Sequence, residues 1–365
     1  MDNNDFFEGQ EKLLEVWFKP PNSTITPGKH PHRDDAQGLR AIPRARVEGI
    51  LDEAKCCILD AFHGDFMDSY VLSESSLFIT AYRIILKTCG TTRLLPALPL
   101  IVQAAADVGL TEIDDMFFSR REFIAPHTQE FPHRDFREEV AYLDQYFDGV
   151  AYPLGRLNGD RWYLYTLNNQ LHITCPDVTV EIMMTSLDRT AMNAFYKSTL
   201  TAREVTQQSG IADIVPGAHI HEFLFDPCGY SCNAVFGEFY FTIHVTPQEE
   251  FSYVSFETDV LKEDYTPMIL KVLDIFKPGK FSINVFANEH APFGNAQNAF
   301  NIQQVQGAGF QRHDQQLCCL AHASVLFGHF TSNTHTAIED AEQHQRRQRV
   351  PGYKALVATP PPAAA

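Results

Sequence analysis

Tyr70-Val71-Leu72-Ser73-Glu74-Ser75-Ser76-Leu77-Phe78, followed by Thr80 and by Lys87-Thr88-Cys89-Gly90, places serines and one carboxylate inside an apolar run. No Gly or Pro flanks the serines, so ordinary turn chemistry does not account for them. Segments 70–80 and 82–88 read as strands, and polar side chains inside them need a reason. On these residues alone, Ser75 or Ser76 is a candidate nucleophile.

Outward from this stretch the pattern is mixed. Residues 8–18 are predicted as a short helix, with Leu13, Leu14, Trp17 and Phe18 on one arc and Glu8, Glu11 and Glu15 on the other. Pro20-Pro21 would end it, and 19–46 reads as a long surface loop. Lys55 to Asp60 is expected to begin a buried strand, with a turn at His63-Gly64-Asp65. Residues 94–108 read as a helix. Asp135 with Glu138 suggests a capping box for another helix, reaching about 147. Strands are expected at 161–167 and 178–184, and a helix near 188–197. Phe239–Thr246 and Phe251–Thr258 are alternating aromatic strands joined by Pro247-Gln248-Glu249-Glu250. Thr266-Pro267 opens a helix that Pro278-Gly279 closes, before a strand at 281–287. The stretch 332–365, His/Gln-rich and then Pro/Ala-rich, is expected to be disordered. Strands without a regular strand–helix alternation favour antiparallel sheets with helices on their outer faces.

The 365 residues carry a formal charge of -17, which disfavours unaided binding to nucleic acid or an anionic membrane. No basic patch is interleaved with aromatics. No apolar run approaches membrane-spanning length and no charged segment followed by an apolar one opens the sequence, so a cytoplasmic setting is expected. Eight cysteines, two pairs of them adjacent, resemble buried thiols in a reducing compartment rather than a disulfide framework.

Two further clusters could carry chemistry. Ser231, in Phe225-Asp226-Pro227-Cys228-Gly229-Tyr230-Ser231-Cys232, could join His244 in proton transfer. His219, His221, Cys228 and Cys232 are zinc-type ligands, but their order and spacing match no defined site. A zinc-dependent hydrolase therefore stands only as an alternative. No phosphate-binding glycine loop, His-Glu-x-x-His or Gly-x-Ser-x-Gly elbow is present.

Taken together in order, Phe7-Glu8-Gly9 through Phe18, the 70–76 stretch, Lys87-Thr88-Cys89-Gly90-Thr91-Thr92, Asp226 to Ser231, Thr242 to Pro247 and Phe251 to Glu257 resemble eukaryotic S-adenosylmethionine decarboxylases. The similarity runs from about residue 6 to about 331. It implies an α+β fold, a four-layer αββα sandwich of two large antiparallel sheets, as one domain over 1–331. It implies self-cleavage between Glu74 and Ser75, giving a β chain 1–74 and an α chain 75–365. Ser75 would become a covalent pyruvoyl group, whose ketone condenses with the substrate amine and whose conjugated carbonyl accepts electrons as CO2 leaves. By the same resemblance Ser231 and His244 assist cleavage, Cys89 reprotonates the α-carbon, and Glu8 and Glu11 lie near the reacting groups. Phe7 and Phe225 would stack on the adenine, with Glu74 also in the substrate site.

The resemblance further implies an activator site for putrescine, built from Glu15, Lys87, Ser119, Asp177, Thr179, Glu181, Glu257 and Phe286, and a homodimer of αβ units. The expected product would supply aminopropyl groups for spermidine and spermine. A catalytically dead regulatory paralogue of the same fold is the other reading. One departure stands out. Where the family places a glutamate that grips the ribose hydroxyls, this chain has Gln248, followed by Glu249 and Glu250. Either Gln248 substitutes weakly or a one-residue shift brings in Glu249.

Overall fold

The chain builds the same antiparallel sheet twice. In the computed structural model, which describes residues 7–20, 37–167 and 175–337, the first sheet takes β1 (Lys12–Phe18), β2 (Ile58–His63), β3 (Asp68–Leu72), β4 (Ser75–Ile79), β5 (Arg83–Thr88), β6 (Ile113–Arg121), β7 (Val150–Gly155) and β8 (Arg161–Thr166). The second takes β9 (Val178–Leu187), β10 (His219–Leu224), β11 (Tyr230–Phe236), β12 (Phe239–Thr246), β13 (Tyr253–Thr258), β14 (Pro278–Asn288), β15 (Phe310–Cys319) and β16 (Ala323–Ser332). Their spatial orders are β2-β3-β4-β5-β1-β6-β8-β7 and β10-β11-β12-β13-β9-β14-β16-β15. Adding eight to each label of the first order produces the second, so the halves share one topology.

Helices α1 (Arg44–Ala54), α2 (Leu98–Asp107) and α3 (Phe136–Leu143) cover the outer face of the first sheet. Helices α4 (Arg189–Met192), α5 (Ala202–Ser209), α6 (Thr266–Phe276) and α7 (Ile302–Gly307) cover that of the second. The inner faces meet through Trp162 and Leu164 of one sheet against Met183, Tyr253 and Phe327 of the other. This is the expected four-layer αββα arrangement. Alternation along each strand explains it. In β12, Phe241, Ile243 and Val245 enter the helix-side core, and the intervening Thr242 and His244 point between the sheets. In β9, Val180, Ile182 and Met184 pack outward while Thr179 and Glu181 point inward. Each fully buried aliphatic side chain in these layers contributes roughly 1.5–3 kcal/mol.

The expected helix at 8–18 is instead strand β1, hydrogen-bonded to β5 on one side and β6 on the other. Leu14, Val16 and Phe18 join the helix-side core, and Leu13 and Trp17 pack between the sheets. A strand buried on both faces loses the polar–apolar alternation that identifies strands, and its apolar residues then mimic a helical arc. Helix α1 occupies part of the expected 19–46 loop, and residues 21–36 of that loop lie outside the described ones. Strand β2 is largely exposed or half-buried rather than buried. Asp135 caps α3 by accepting from the Arg137 N–H, without the reciprocal Glu138 bond of a capping box, and the helix ends at Leu143. Of the expected disordered tail, 333–337 form a helical turn, and 338–365 lie outside the described residues. No described helix is long and apolar enough to cross a membrane.

Candidate active site between the two sheets

The stretch 70–78 folds as the β3–β4 hairpin, with its turn at Ser73-Glu74. Leu77 and Ile79 of β4 face the helix side, and Phe78 faces the second sheet, where it packs on Tyr240. Strict alternation would therefore send Ser76 inward and Ser75 outward. Both nevertheless reach the same residue: His244 Nε2 lies 3.1 Å from Ser75 Oγ and 2.9 Å from Ser76 Oγ. The backbone explains this. Ser75 has φ +122°, a conformation costly for a residue with a Cβ, at roughly 1–3 kcal/mol. It turns the Ser75 side chain inward beside that of Ser76.

Around Ser75 the polar groups converge from both halves. Ser75 Oγ is 3.1 Å from Glu11 Oε1. His244 Nδ1 lies 2.9 Å from Ser231 Oγ, its direct cross-strand neighbour. Ser76 donates to Asn233 Oδ1 at 2.6 Å, and Thr242 Oγ1 lies 3.0 Å from the same oxygen. The hydroxyls of Ser75, Ser76 and Thr242 all lie within 3.1 Å of Nε2, while Ser75 Oγ also donates to Glu11 Oε1 and Thr242 Oγ1 to the Cys232 carbonyl. Burial, reinforced by the Lys87 charge, pushes the His244 pKa down to about 3. The imidazole is therefore a neutral base at physiological pH. Burial raises the Glu11 pKa to about 7, against the opposing pull of Lys87. The Glu74 carbonyl, one bond before Ser75, accepts the backbone N–H of Cys89 at 3.1 Å. The Cys89 thiol faces Glu74 Oε2 at 3.8 Å.

A cleft of about 780 Å³ opens beside this cluster, with Phe7, Glu8, Glu74, Gly90 and Ile124 in its wall. Gly90 is required here: it has φ +63°, and a Cβ would stand 3.0 Å from Glu74 Oε2 and 3.2 Å from the Phe7 ring. Glu8 is held by the backbone N–H groups of Ala125 and Gln10 rather than by the serines. Phe225 lies outside that wall, edge-on to Phe223. Gln248 precedes a 3₁₀ turn, and Glu249 is exposed and paired with Arg189 at 3.4 Å. A cleft of similar volume at Ser186, Lys277 and His335 contains none of these groups.

The second acidic cluster also assembles between the sheets. Glu15, Ser119, Asp177, Thr179, Glu181, Glu257 and Phe286 line one pocket. Lys87 touches Glu257, Glu181 and Glu11 at 2.8, 3.1 and 3.3 Å, and Arg83 pairs with Asp259 at 2.6 Å and Glu15 at 3.5 Å. Two cations thus face six carboxylates when Asp177 is counted. Burial raises Glu15, lifts Asp177 to about 7 and lifts Asp259 to about 6, with neighbouring carboxylates adding to the rise and Arg83 opposing it. Protons replace missing positive charge.

The zinc-type ligands do not converge. His221 bonds Ser69 at 2.9 Å and Asp60 at 3.3 Å, and His219 stacks on Phe62. Among the described residues no group of three or more His, Cys, Asp or Glu side chains could hold a metal. Ser69–His221–Asp60 has the connectivity of a hydrolytic triad, but Ser69 is fully buried and no described cleft reaches it. Sequence reading passed over Asn233 and Thr242. Each lies two residues from a singled-out partner on an alternating strand, which is the signal that could have found them.

Two packed eight-stranded antiparallel sheets, with a strained serine and a histidine from equivalent strands at their interface, define an α+β sandwich with its polar site between the sheets. The chain belongs to the adenosylmethionine decarboxylase family, whose model matches residues 4–331, and its activity is that of an S-adenosylmethionine decarboxylase. The S-adenosylmethionine decarboxylase proenzyme of Xenopus laevis is 43% identical over 331 residues, spanning 89% of this chain and 95% of the relative. That of Dictyostelium discoideum is 43% identical over 306 residues, spanning 82% and 80%. The crystal structure of a Trypanosoma brucei AdoMetDC-delta26 monomer superimposes with a TM-score of 0.56 at 27% identity, covering 70% of this chain and 98% of that one.

Proposed function

We propose that the chain cuts itself between Glu74 and Ser75 and then decarboxylates S-adenosylmethionine on a pyruvoyl group made from Ser75. The observation that carries this reading is the strained Ser75, with its Oγ on neutral His244 and the preceding carbonyl on the Cys89 N–H. Ser75 Oγ attacks the Glu74 carbonyl carbon while His244 takes its proton. The Cys89 N–H stabilises the oxyanion, as a preorganised donor aimed at developing charge. The Glu74–Ser75 C–N bond breaks to leave an ester and a free serine amine, and the strain at φ +122° is released. Removal of the serine α-proton by His244, which Ser231 orients, expels the Glu74 carboxylate. Water then hydrolyses the dehydroalanine left at residue 75, with loss of ammonia, to the ketone.

The products stay together because β1, within 1–74, is hydrogen-bonded between β5 and β6, both within 75–365. When present, the pyruvoyl group supplies an electrophilic carbonyl and an electron sink. The chain's residues do the rest. Phe7, in the cleft wall, holds the adenine and faces the sulfonium charge, Glu8 fixes the cleft wall, and Cys89 returns a proton to the carbon that lost CO2. The product is an aminopropyl donor of the kind polyamine synthesis consumes. Release of CO2 from carboxyl-labelled S-adenosylmethionine, abolished by a carbonyl reagent such as phenylhydrazine, tests the reading. CO2 release indifferent to that reagent rejects it.

The acidic pocket is proposed as the putrescine site. A dication there replaces the protons on Glu11, Glu15 and Asp177, so binding releases protons and competes with them. Burial raises all three, Glu11 and Asp177 to about 7, so those two are protonated below about pH 7 and ionised above it. Putrescine should therefore stimulate processing or decarboxylation well at pH 8 and weakly at pH 6. An activation constant that does not change between those values removes this assignment.

For the ribose, Glu249 is committed to Arg189 on the surface, which favours Gln248 as the contact. A neutral amide gives up the charge-assisted bidentate bond, worth about 1 kcal/mol or roughly fivefold in affinity. Gln248→Glu should lower KM by about that factor with kcat little changed; an unchanged KM would remove Gln248 from the substrate site.

A further inference from the structure

Lys12 is a fully buried cation that the chemistry above does not use. Its position follows from β1: it shares the helix-side face with Leu14, Val16 and Phe18, so it stands behind the first sheet, away from His244. Among the described residues no carboxylate lies within ion-pair distance of its Nζ. Instead Nζ donates to the Gly90 carbonyl at 3.2 Å and to Gln129 Oε1 at 3.3 Å, and lies 5.1 Å from the centre of the Phe123 ring. A buried ammonium without a counter-ion is costly and needs a compensating role.

The groups that face it narrow that role. Glu139, on α3, is already taken by Arg120 of β6 at 2.7 Å and by His133 at 2.8 Å. Glu8, on Lys12's own segment, is held by backbone N–H groups. Cys56, beyond α1, is raised to about 12 by burial and stays a thiol. What remains is the corner formed by Glu74 and Cys89, next to the carbonyl that Lys12 grips. Burial, then the Glu74 and Glu11 charges, oppose ionisation of Cys89, and Lys12 favours it. Burial itself brings Lys12 down to about 8.

We propose that Lys12 is a positioning residue for Cys89. It fixes the Cys89–Gly90 turn through the Gly90 carbonyl and supplies the positive charge that stabilises the thiolate left when Cys89 gives its proton to the substrate carbon. This rests on the reading of Cys89 as proton donor. If that proton is not delivered, the electron pair left by CO2 takes one at the carbon derived from Ser75. Hydrolysis then releases an aldehyde and leaves an N-terminal alanine on the α chain. The fraction of turnovers ending in alanine therefore reports proton delivery apart from overall rate.

The test uses full-length Lys12→Met and Lys12→Arg, with Cys89→Ser as reference, and reads alanine per turnover by mass spectrometry. In parallel, Cys89 alkylation by iodoacetamide is followed from pH 7 to 9 in the unprocessed Ser75→Ala background, which needs no catalysis. Lys12→Met should raise the alanine fraction and slow Cys89 labelling at pH 8, each about tenfold, the equivalent of one pKa unit. Lys12→Arg should restore both and carry the labelling profile past pH 8 without the plateau that loss of the lysine charge imposes. If Cys89→Ser raises the alanine fraction but Lys12→Met alters neither readout, the role of Lys12 is overturned while that of Cys89 stands. If Cys89→Ser leaves the alanine fraction unchanged, the donor reading itself fails.

Discussion

Ser75→Ala should give a single 41.3-kDa chain, where the unaltered protein gives fragments of about 8 and about 33 kDa, that mass divided in proportion to 74 and 291 residues. The effect is all-or-none because the attacking atom is removed. Only a hydroxyl on the residue directly after the scissile carbonyl closes the five-membered ring of an N-to-O acyl shift. Ser76 Oγ also bonds His244 and tests this selectivity. Ser76→Ala should still be cleaved, since its hydroxyl is committed to Asn233 and it lies one residue too far from the Glu74 carbonyl. Two fragments from Ser75→Ala on a denaturing gel would show that another residue makes the cut.

His244→Ala should stop the reaction one stage later. The acyl shift is driven partly by relief of the strained φ at Ser75, and Glu11 Oε1 remains 3.1 Å from the hydroxyl to accept its proton. Elimination has no substitute for a neutral imidazole oriented by Ser231. The expected loss in the rate of complete processing is about 10²–10⁴-fold, the usual worth of a positioned general base. The ester should accumulate. Hydroxylamine would then cleave it, releasing residues 1–74 as the hydroxamate and leaving an α chain that begins with unmodified Ser75. Absence of hydroxylamine-sensitive material, with the variant folded, would show that Glu11 does not replace His244 and that the acyl shift itself requires the imidazole.

The share of this that was legible in the sequence divides along physical lines. Elements with one wet face or strong punctuation were readable: α6 with Pro at its start, the aromatic β12–β13 pair, and α2. Strand β1 was not, because both its faces are buried and KLLEVWF then fits a helical arc as well as a strand. The Glu8, Glu11 and Glu15 spacing reinforced that misreading; in the fold Glu11 meets Ser75 and Lys87 while Glu15 meets Arg83.

The matching strand orders of the two sheets left no recognised repeat in the sequence, since topology constrains burial pattern more than residue identity. Nor could any local pattern bring Ser75 to His244, 169 residues apart. The resemblance supplied that pairing before the fold did. It could not supply the backbone reason why neighbouring serines share one imidazole. Lys12 was hidden differently: a lysine inside an apolar run reads as a surface residue until its burial and its missing counter-ion are seen.

Intact mass spectrometry of the purified full-length protein tests the central claim most directly. Two chains are predicted, meeting at Glu74 and Ser75, with the larger lighter by one ammonia than a chain beginning with serine and lacking a free N-terminal amine. A single uncleaved chain, or a larger fragment beginning with an ordinary serine, would contradict it.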